Sequence, residues 1–297
     1  MHRIGIDLGG TKTELIVTGD NPLEVIQKKR VETERTGYSA LLGQLKGLVD
    51  SVRTLAVESP AVGLGAPGFV DPYNGSVGSS NLTSLCFKPF QQDLEEQLQM
   101  PVRVVNDANC FALSEALHGS GKGYGMVLGI ILGTGMGGGL VLDGKIWSGS
   151  QGIAGEWGHA TVDPKGPECY CGRRGCQELY LSGTGIQRLY RERSGRELGS
   201  LQIYEAWKQG EDVDAAETME IFLEIFGQAI ANLVMCLDPD VIVLGGGVSN
   251  LPILYEEGLK RVSQQVFQGR QKIRIVPNHL GDSSGVFGAA AAAGTKP

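Results

Sequence analysis

The chain has 297 residues, with 26 Lys+Arg against 33 Asp+Glu and a net charge of −7, so no global positive field is available to collect the phosphates of a nucleic acid. Hydrophobic residues make up 41%, ample for two lobes or one large domain, and no apolar run is read as reaching the roughly 18 residues of a membrane span. Because the first residues run straight into a strand, no signal peptide is expected.

The predicted elements, in chain order, begin with strands at 3–8 and 14–18 around the turn Gly9-Gly10-Thr11-Lys12. A third strand at 23–31 and an amphipathic helix at 39–53, carrying Leu41, Leu42, Leu45 and Leu48, come next. A buried strand at 61–64 leads into Gly65-Ala66-Pro67-Gly68, a helix follows at 90–99, and a strand at 102–105 ends on Asn106-Asp107. A helix at 108–117 closes at Gly119. A second block starts at 126 and passes through Gly133–Gly139 to Leu142, after which 145–180 is loop-rich. Helices are expected at 182–194, 200–208 and 214–236, the last with Met219, Phe222, Phe226, Ala229 and Leu233 along one face. The strand 241–244 opens into Gly245-Gly246-Gly247, and a strand at 273–276, Gly281-Asp282 and a helix at 288–293 end the chain.

A strand pair with a glycine turn and then a βα crossover thus occurs from residue 3 and again from 126. Short buried strands alternating with helices indicate α/β architecture. Two such lobes facing each other would form a cleft with a glycine loop on each wall.

Glycine is abundant, at 45 residues, which is about twice the usual share, and it clusters beside the apolar strands. Gly133-x-Gly135-x-x-Gly138 matches the dinucleotide fingerprint in form, but a strand and turn follow it where that fingerprint needs a helix. Neither Lys122 nor Lys145 precedes Ser or Thr, so no Walker A loop is present. The remaining pattern is a polar glycine turn at Asp7–Lys12 and another at Gly133–Gly139. Glycine amides and a Thr hydroxyl can cradle phosphates there, and Asp7 can hold Mg²⁺ through water. Two tight hairpins with a purely structural use of glycine are the alternative.

Asn106-Asp107 ends a strand and opens a helix, the edge of an α/β sheet where ligands sit. A carboxylate there can take a proton from an attacking hydroxyl. On these residues alone an ordinary helix cap is the preferred reading, since Asn and Asp are the favoured cap residues. His159, Cys169, Cys171 and Cys176 carry the spacing of a closed tetrahedral Zn²⁺ shell, hence a structural metal. Glu156 and Glu178 flank it and could read substrate hydroxyls, or be solvated surface charges. Cys86, Cys110 and Cys236 read as buried apolar thiols, His118 and His279 as structural residues. The cysteine pattern is not that of a secreted disulfide scaffold, and a cytoplasmic location is expected.

Taken together, several motifs resemble those of the ROK family along the whole chain. They are Asp7-x-Gly9-Gly10-Thr11-Lys12, Asn106-Asp107-Ala108-Asn109, Gly133-Thr134-Gly135, Gly155-Glu156-x-Gly158-His159 and Cys169-x-Cys171-Gly172-x-x-Gly175-Cys176-x-Glu178, with Asp238-Pro239 before the third glycine cluster and Gly281-Asp282 near the end. ROK members are sugar kinases or transcriptional repressors. The resemblance implies a two-lobed actin-like/Hsp70-like ATPase (ribonuclease H-like) fold with an interlobe cleft. Residues 1–118 would form one lobe, with the C-terminal helix at about 283–297 packing back on it, and 119–282 the lobe containing the zinc loop.

The same resemblance implies Asp107 as catalytic base, with Gly68, Asn81, Asn106, Asp107, Glu156, His159 and Glu178 contacting the sugar. Asp7, Gly9, Gly10, Thr11, Lys12, Gly133, Thr134, Gly135, Gly246 and Gly247 would surround ATP and Mg²⁺. Zn²⁺ would be structural, and His159 would both ligate it and border the sugar. The expected reaction is ATP-dependent phosphorylation of the 6-hydroxyl of a free hexose by a homodimer without nucleic-acid or membrane partners. With six residues before Asp7, no DNA-binding module is expected. Gly155–His159, the 81–90 segment and the 279–286 ending look closest to fructokinase/mannokinase members, which makes D-fructose the first choice. Residues 106–116 equally resemble N-acetylglucosamine kinases, the alternative reading, and a non-catalytic sugar sensor is the reading from another class. Leu82-Thr83-Ser84-Leu85 stands where glucokinase-type members place a Trp, which disfavours glucose.

Overall fold

A computed structural model of the chain describes residues 2–55, 61–78, 80–268 and 272–293. In chain order the elements are β1 (Arg3–Leu8), β2 (Lys12–Thr18), β3 (Val25–Glu32), α1 (Tyr38–Asp50), β4 (Val62–Ala66), α2 (Phe90–Leu98), β5 (Val102–Asn106) and α3 (Asp107–His118). There follow β6 (Met126–Leu132), β7 (Met136–Leu142), β8 (Lys145–Ile146), α4 (Glu178–Leu181), α5 (Gly183–Ser194), α6 (Ser200–Gln209) and α7 (Val213–Leu237). The last are β9 (Val241–Gly245), α8 (Glu257–Gln265), β10 (Ile275–Pro277) and α9 (Ser284–Ala292). The architecture is α/β, with two mixed five-stranded sheets.

The chain divides into two compact units, one comprising Met1–Gly123, Gly139–Ala154 and Leu280–Pro297, the other Tyr124–Gly138 and Gly155–His279. The expected division gave 119–123, 280–282 and, as the largest piece, Gly139–Ala154 to the other lobe, whereas all three group with the first unit. For Gly139–Ala154 the reason is a close approach: a Cβ on Gly139 would lie 2.8 Å from the Ala108 carbonyl oxygen and 2.8 Å from the Ala112 methyl. Of the expected C-terminal helix, residues 294–297 lie outside the described residues.

In the first unit the strand order is β3-β2-β1-β4-β5. β1 and β2 form an antiparallel hairpin that pairs Asp7 with Glu14 and Leu8 with Thr13, while β1, β4 and β5 run parallel. Ile4, Ile6, Leu15, Leu41, Leu45, Leu64 and Phe90 form a continuous core. α9 lies on this sheet so closely that side chains are excluded: a Cβ on Gly63 would be 1.7 Å from the Ala289 carbonyl oxygen, and one on Gly5 2.4 Å from that of Val286. The alanine run of α9 supplies the matching small surface. The helix starts at Ser284, earlier than the 288 read from the residues and beside the start at about 283 that the family resemblance implied; buried Glu115 fixes its entry. Glu115 accepts from the Leu280 amide at 3.0 Å, the Ser284 hydroxyl at 3.2 Å and the Ser120 amide at 2.9 Å.

The second sheet has the order β10-β9-β6-β7-β8, with β6, β9 and β10 parallel. α7 is the long helix of the second unit. Asp212 caps its start by accepting the Ala215 amide at 3.0 Å, and Asp238 ends it in a left-handed conformation, φ 45°. Contrary to expectation, α7 is long and apolar enough to cross a membrane by length and composition. Its apolar stripe is used inside the unit, where Met219, Phe222, Phe226 and Ile230 are fully buried and the helix packs on α5, α6 and α8. Arg261 of α8 adds an ionic clamp, reaching Glu220 at 2.8 Å and Glu224 at 3.0 Å on α7.

Candidate active site

In the first unit, the turn after β1 brings Gly9, Gly10, Thr11 and Lys12 together, with the Gly9 amide donating to the Lys12 carbonyl at 3.0 Å. Thr33 braces this turn, donating its hydroxyl to the Gly9 carbonyl at 2.7 Å and its amide to the Thr11 carbonyl at 2.9 Å. Thr11 and Lys12 point to solvent. Asn81 stands beside the turn, its Nδ2 3.8 Å from the Cβ position of Gly10.

Asp7 sits at the end of β1 between two glycines. A Cβ on Gly285 of α9 would be 3.2 Å from its Oδ2, and one on Gly65 of β4 3.7 Å from its Oδ1. Loss of solvent pushes its pKa up to about 6; the charge of Glu14 adds to the rise and Arg30 opposes it. Glu14 is itself held by Arg30 at 2.7 Å and Lys28 at 3.0 Å.

Of Asn106 and Asp107, either of which could cap the helix by sequence, only one does so. Asn106 is the cap of α3: its Oδ1 accepts the Asn109 amide at 3.1 Å, and its Nδ2 donates to the Gly68 carbonyl at 3.0 Å and to Asp107 Oδ1 at 3.1 Å. Asp107, the first residue of the helix, is relieved of capping. Its Oδ1 also accepts the Ala108 amide at 2.8 Å, so the carboxylate is oriented from two sides. An oriented carboxylate at a strand–helix junction is what general-base chemistry requires.

In the second unit, the 133–135 turn is tied down from three directions. The Gly183 amide donates to the Gly133 carbonyl at 2.7 Å, the Thr184 hydroxyl to the Thr134 carbonyl at 2.7 Å, and the Met136 amide to Glu178 Oε2 at 2.9 Å. Gly246 packs against this turn, its Cβ position 2.9 Å from the Gly133 amide nitrogen, while Gly247 and Thr134 remain exposed. Gly138, by contrast, serves packing: a Cβ there would strike the buried Trp157 ring at 2.2 Å. The run 133–139 is thus a partly exposed, tethered turn followed by a packing surface.

The turn Glu156–His159 brings two of the expected carboxylates into one electrostatic group. The protein around the partly exposed Glu156 pushes its pKa up, His159 opposing the rise and Glu178 adding to it. His159 also joins the cysteine loop. One ligand atom from each of His159, Cys169, Cys171 and Cys176 lies within 4.8 Å of all the others. Cys169 Sγ is 3.7 Å from His159 Nδ1, and the Cys171 and Cys176 sulfurs are 3.6 Å apart. A tetrahedral zinc with ordinary bond lengths demands edges of about 3.6 to 3.8 Å, so this donor set fits the ion. The other ring nitrogen, Nε2, pairs with the Tyr170 hydroxyl at 2.9 Å, the outer contact that usually orients a ligating histidine.

Residues 3–296 match the ROK family. The chain belongs to that family. The chain is 42% identical over 300 residues to the N-acetyl-D-glucosamine kinase of Pasteurella multocida (strain Pm70), across 97% of this chain and 98% of that protein. The ROK hexokinase of Thermus thermophilus superimposes with a TM-score of 0.90 at 33% identity, covering 99% of this chain and 98% of that one. A ROK family glucokinase from Streptomyces griseus, in complex with glucose and AMPPNP, superimposes with a TM-score of 0.81 at 29% identity over 99% of each chain. By class, this ROK protein is an ATP-dependent sugar kinase.

Among the expected ROK site residues, the first unit gathers Asp7, Gly9, Gly10, Thr11, Lys12, Gly68, Asn81, Asn106 and Asp107. The second gathers Gly133, Thr134, Gly135, Glu156, His159, Glu178, Gly246, Gly247 and the three loop cysteines. Sequence reasoning missed Thr33 and Tyr170. Thr33 reaches the first turn only through strand pairing and carries no local signal. Tyr170 did carry one, as an aromatic inside the Cys-x-Cys turn.

Proposed function

We propose that the chain transfers the γ-phosphoryl group of ATP to the 6-hydroxyl of N-acetyl-D-glucosamine. The observation that carries this reading is the 42% identity to an N-acetyl-D-glucosamine kinase over nearly the full length of both chains. D-Fructose, the first choice from sequence motifs, gives way to what was then the alternative. The Asn106–Ala116 segment supports the same sugar.

Asp107 takes the hydroxyl proton as the sugar oxygen attacks the γ-phosphorus in line; the bond to the bridging oxygen breaks and ADP leaves. Asn106, Gly68, Asn81, Glu156, His159 and Glu178 hold the sugar, and hydroxyl-specific hydrogen bonds give selectivity. The amides of the turns at Gly9–Lys12 and Gly133–Gly135, with Gly246 and Gly247, hold the nucleotide phosphates. Asp7 holds Mg²⁺, which when bound neutralises phosphate charge. His159, Cys169, Cys171 and Cys176 hold a structural zinc that shapes the loop carrying Glu178. The cysteine spacing and the acidic balance support a cytoplasmic enzyme of small-molecule partners, without nucleic acid or membrane, and the family resemblance supports a homodimer.

Asp107→Asn tests the base. It keeps sugar binding and lowers kcat by about a thousandfold; near-normal turnover would remove Asp107 from this role.

A further inference from the structure

A cavity of about 1010 Å³ lies within the first unit, walled by β5, one face of α3 and the loop around β8. It is not the proposed sugar site: neither Asp107, Gly68 nor Asn81 lines it. Asn106 borders it, but its amide is engaged by Gly68, Asp107 and Asn109. Large, mostly apolar cavities with a few convergent polar groups are the usual form of small-molecule sites.

The polar groups here are incomplete. Arg103 is half-buried, and among the described residues no carboxylate pairs with it; its one bond is a long one, Nη1 to the Pro72 carbonyl at 3.4 Å. Burial lowers its pKa. Such a guanidinium gains from a phosphate or carboxylate, which it can grip in two places. Asn109 is only 6% exposed, and among the described residues its Oδ1 has no hydrogen-bond partner. A buried acceptor without a donor is costly until a hydroxyl or N–H reaches it. Trp147 and Tyr73 are large aromatic side chains of the lining that are 53% and 71% exposed, and Lys145 adds a second cation. The Tyr73 hydroxyl donates to the Ser150 carbonyl at 3.0 Å, joining the two loops of the wall.

We propose that this cavity is a second ligand site of the sugar-phosphate class, with phosphate on Arg103 and Lys145, a hydroxyl donating to Asn109 Oδ1, and the ring against Trp147. The site abuts the first turn of α3, the helix that Asp107 opens, so its occupancy bears on the base. It gives a sugar kinase a means of sensing phosphorylated sugar apart from its substrate site.

Calorimetric titration of the full chain tests this with N-acetyl-D-glucosamine 6-phosphate as probe, and with N-acetyl-D-glucosamine and inorganic phosphate in separate arms. The proteins are wild type, Arg103→Gln and Trp147→Ala; the exposure of Trp147 makes its replacement mild for folding. The phosphosugar is expected to saturate wild type below about 1 mM and to bind both variants about tenfold more weakly, with free-sugar affinity equal in all three. Identical phosphosugar binding by all three proteins would overturn the proposal. So would no saturable binding to wild type, or inorganic phosphate binding as tightly as the phosphosugar. Free-sugar binding by none of the proteins counts against the N-acetyl-D-glucosamine reading alone, because the wild-type-to-variant comparison still decides the cavity.

Discussion

Asp7 and Asp107 flank the same glycine. A Cβ on Gly65 would lie 3.7 Å from Asp7 Oδ1 and 3.7 Å from the Asp107 Cα, with Cys110 Sγ closing the third side at 3.2 Å. β1 and β4 are parallel neighbours, with Asp7 in register with Gly65, and α3 starts at the end of the next strand. Parallel pairing therefore brings together residues a hundred positions apart in sequence. Burial pushes the Cys110 thiol well up, and the charges of Asp7 and Asp107 push it further. The thiol stays neutral beneath two carboxylates and fills the space that a larger side chain would take from them.

Asp7 has a pH signature. Its pKa of about 6 lies above the ordinary 3.8, so the native state favours its protonated form. The stability contributed by that proton is present below about pH 4 and is lost as pH rises through about 6. Asp7→Asn is expected to raise the Tm of the metal-free protein at pH 8 and to change it little at pH 4. The same variant should raise the KM for Mg·ATP, and wild-type kcat/KM should climb as pH passes 6. A Tm unchanged at both pH values would refute the desolvated carboxylate.

Glu178, itself a proposed sugar contact, braces the proposed nucleotide turn by accepting the Met136 amide. Glu178→Ala leaves that amide without its acceptor, a loss of about 1 to 3 kcal/mol, and should raise KM for both ATP and sugar. Glu178→Gln keeps an acceptor oxygen and should spare ATP more than sugar. Steady-state kinetics varying each substrate checks both variants. A Glu178→Ala enzyme with normal KM for ATP would show that the tether is dispensable.

For the cysteine loop, metal analysis should find about one zinc per chain, matching one four-ligand shell. Cys171→Ser should lose the metal and lower Tm and activity together. A stable, active, zinc-free Cys171→Ser protein would exclude the structural role.

The contact of α9 with the sheet predicts a severe small-residue requirement. Gly63→Ala places a methyl 1.7 Å from the Ala289 carbonyl oxygen, and overpacking of this kind costs about 3 kcal/mol or more. Denaturant unfolding at constant m should register the loss. A variant within about 0.5 kcal/mol of wild type would mean that α9 shifts freely.

The strand–glycine-turn repeats, the metal loop and the Asn106-Asp107 junction were legible because each is encoded locally, by alternation, turn chemistry or ligand spacing. The helix α8 was not, because its buried face rests on only Gly258 and Val262 within a charged segment. Gly139–Ala154 was assigned to the wrong unit for a related reason. Its partner, α3, is set by a backbone approach that no periodicity records. The division of labour at Asn106-Asp107 was equally hidden, since either side chain can cap a helix and only the hydrogen bonds distinguish them. Sugar identity was the least legible, as it depends on pocket shape assembled from separate loops.

The most direct test of the account is ADP release with N-acetyl-D-glucosamine, fructose, mannose and glucose, each with Mg·ATP and a no-sugar control. Highest kcat/KM for N-acetyl-D-glucosamine is the expected result, by about tenfold or more over the others. A higher value for fructose or another unacetylated hexose would contradict the proposed substrate, and no sugar-dependent release with any of the four would contradict the proposed hexose 6-kinase reaction itself.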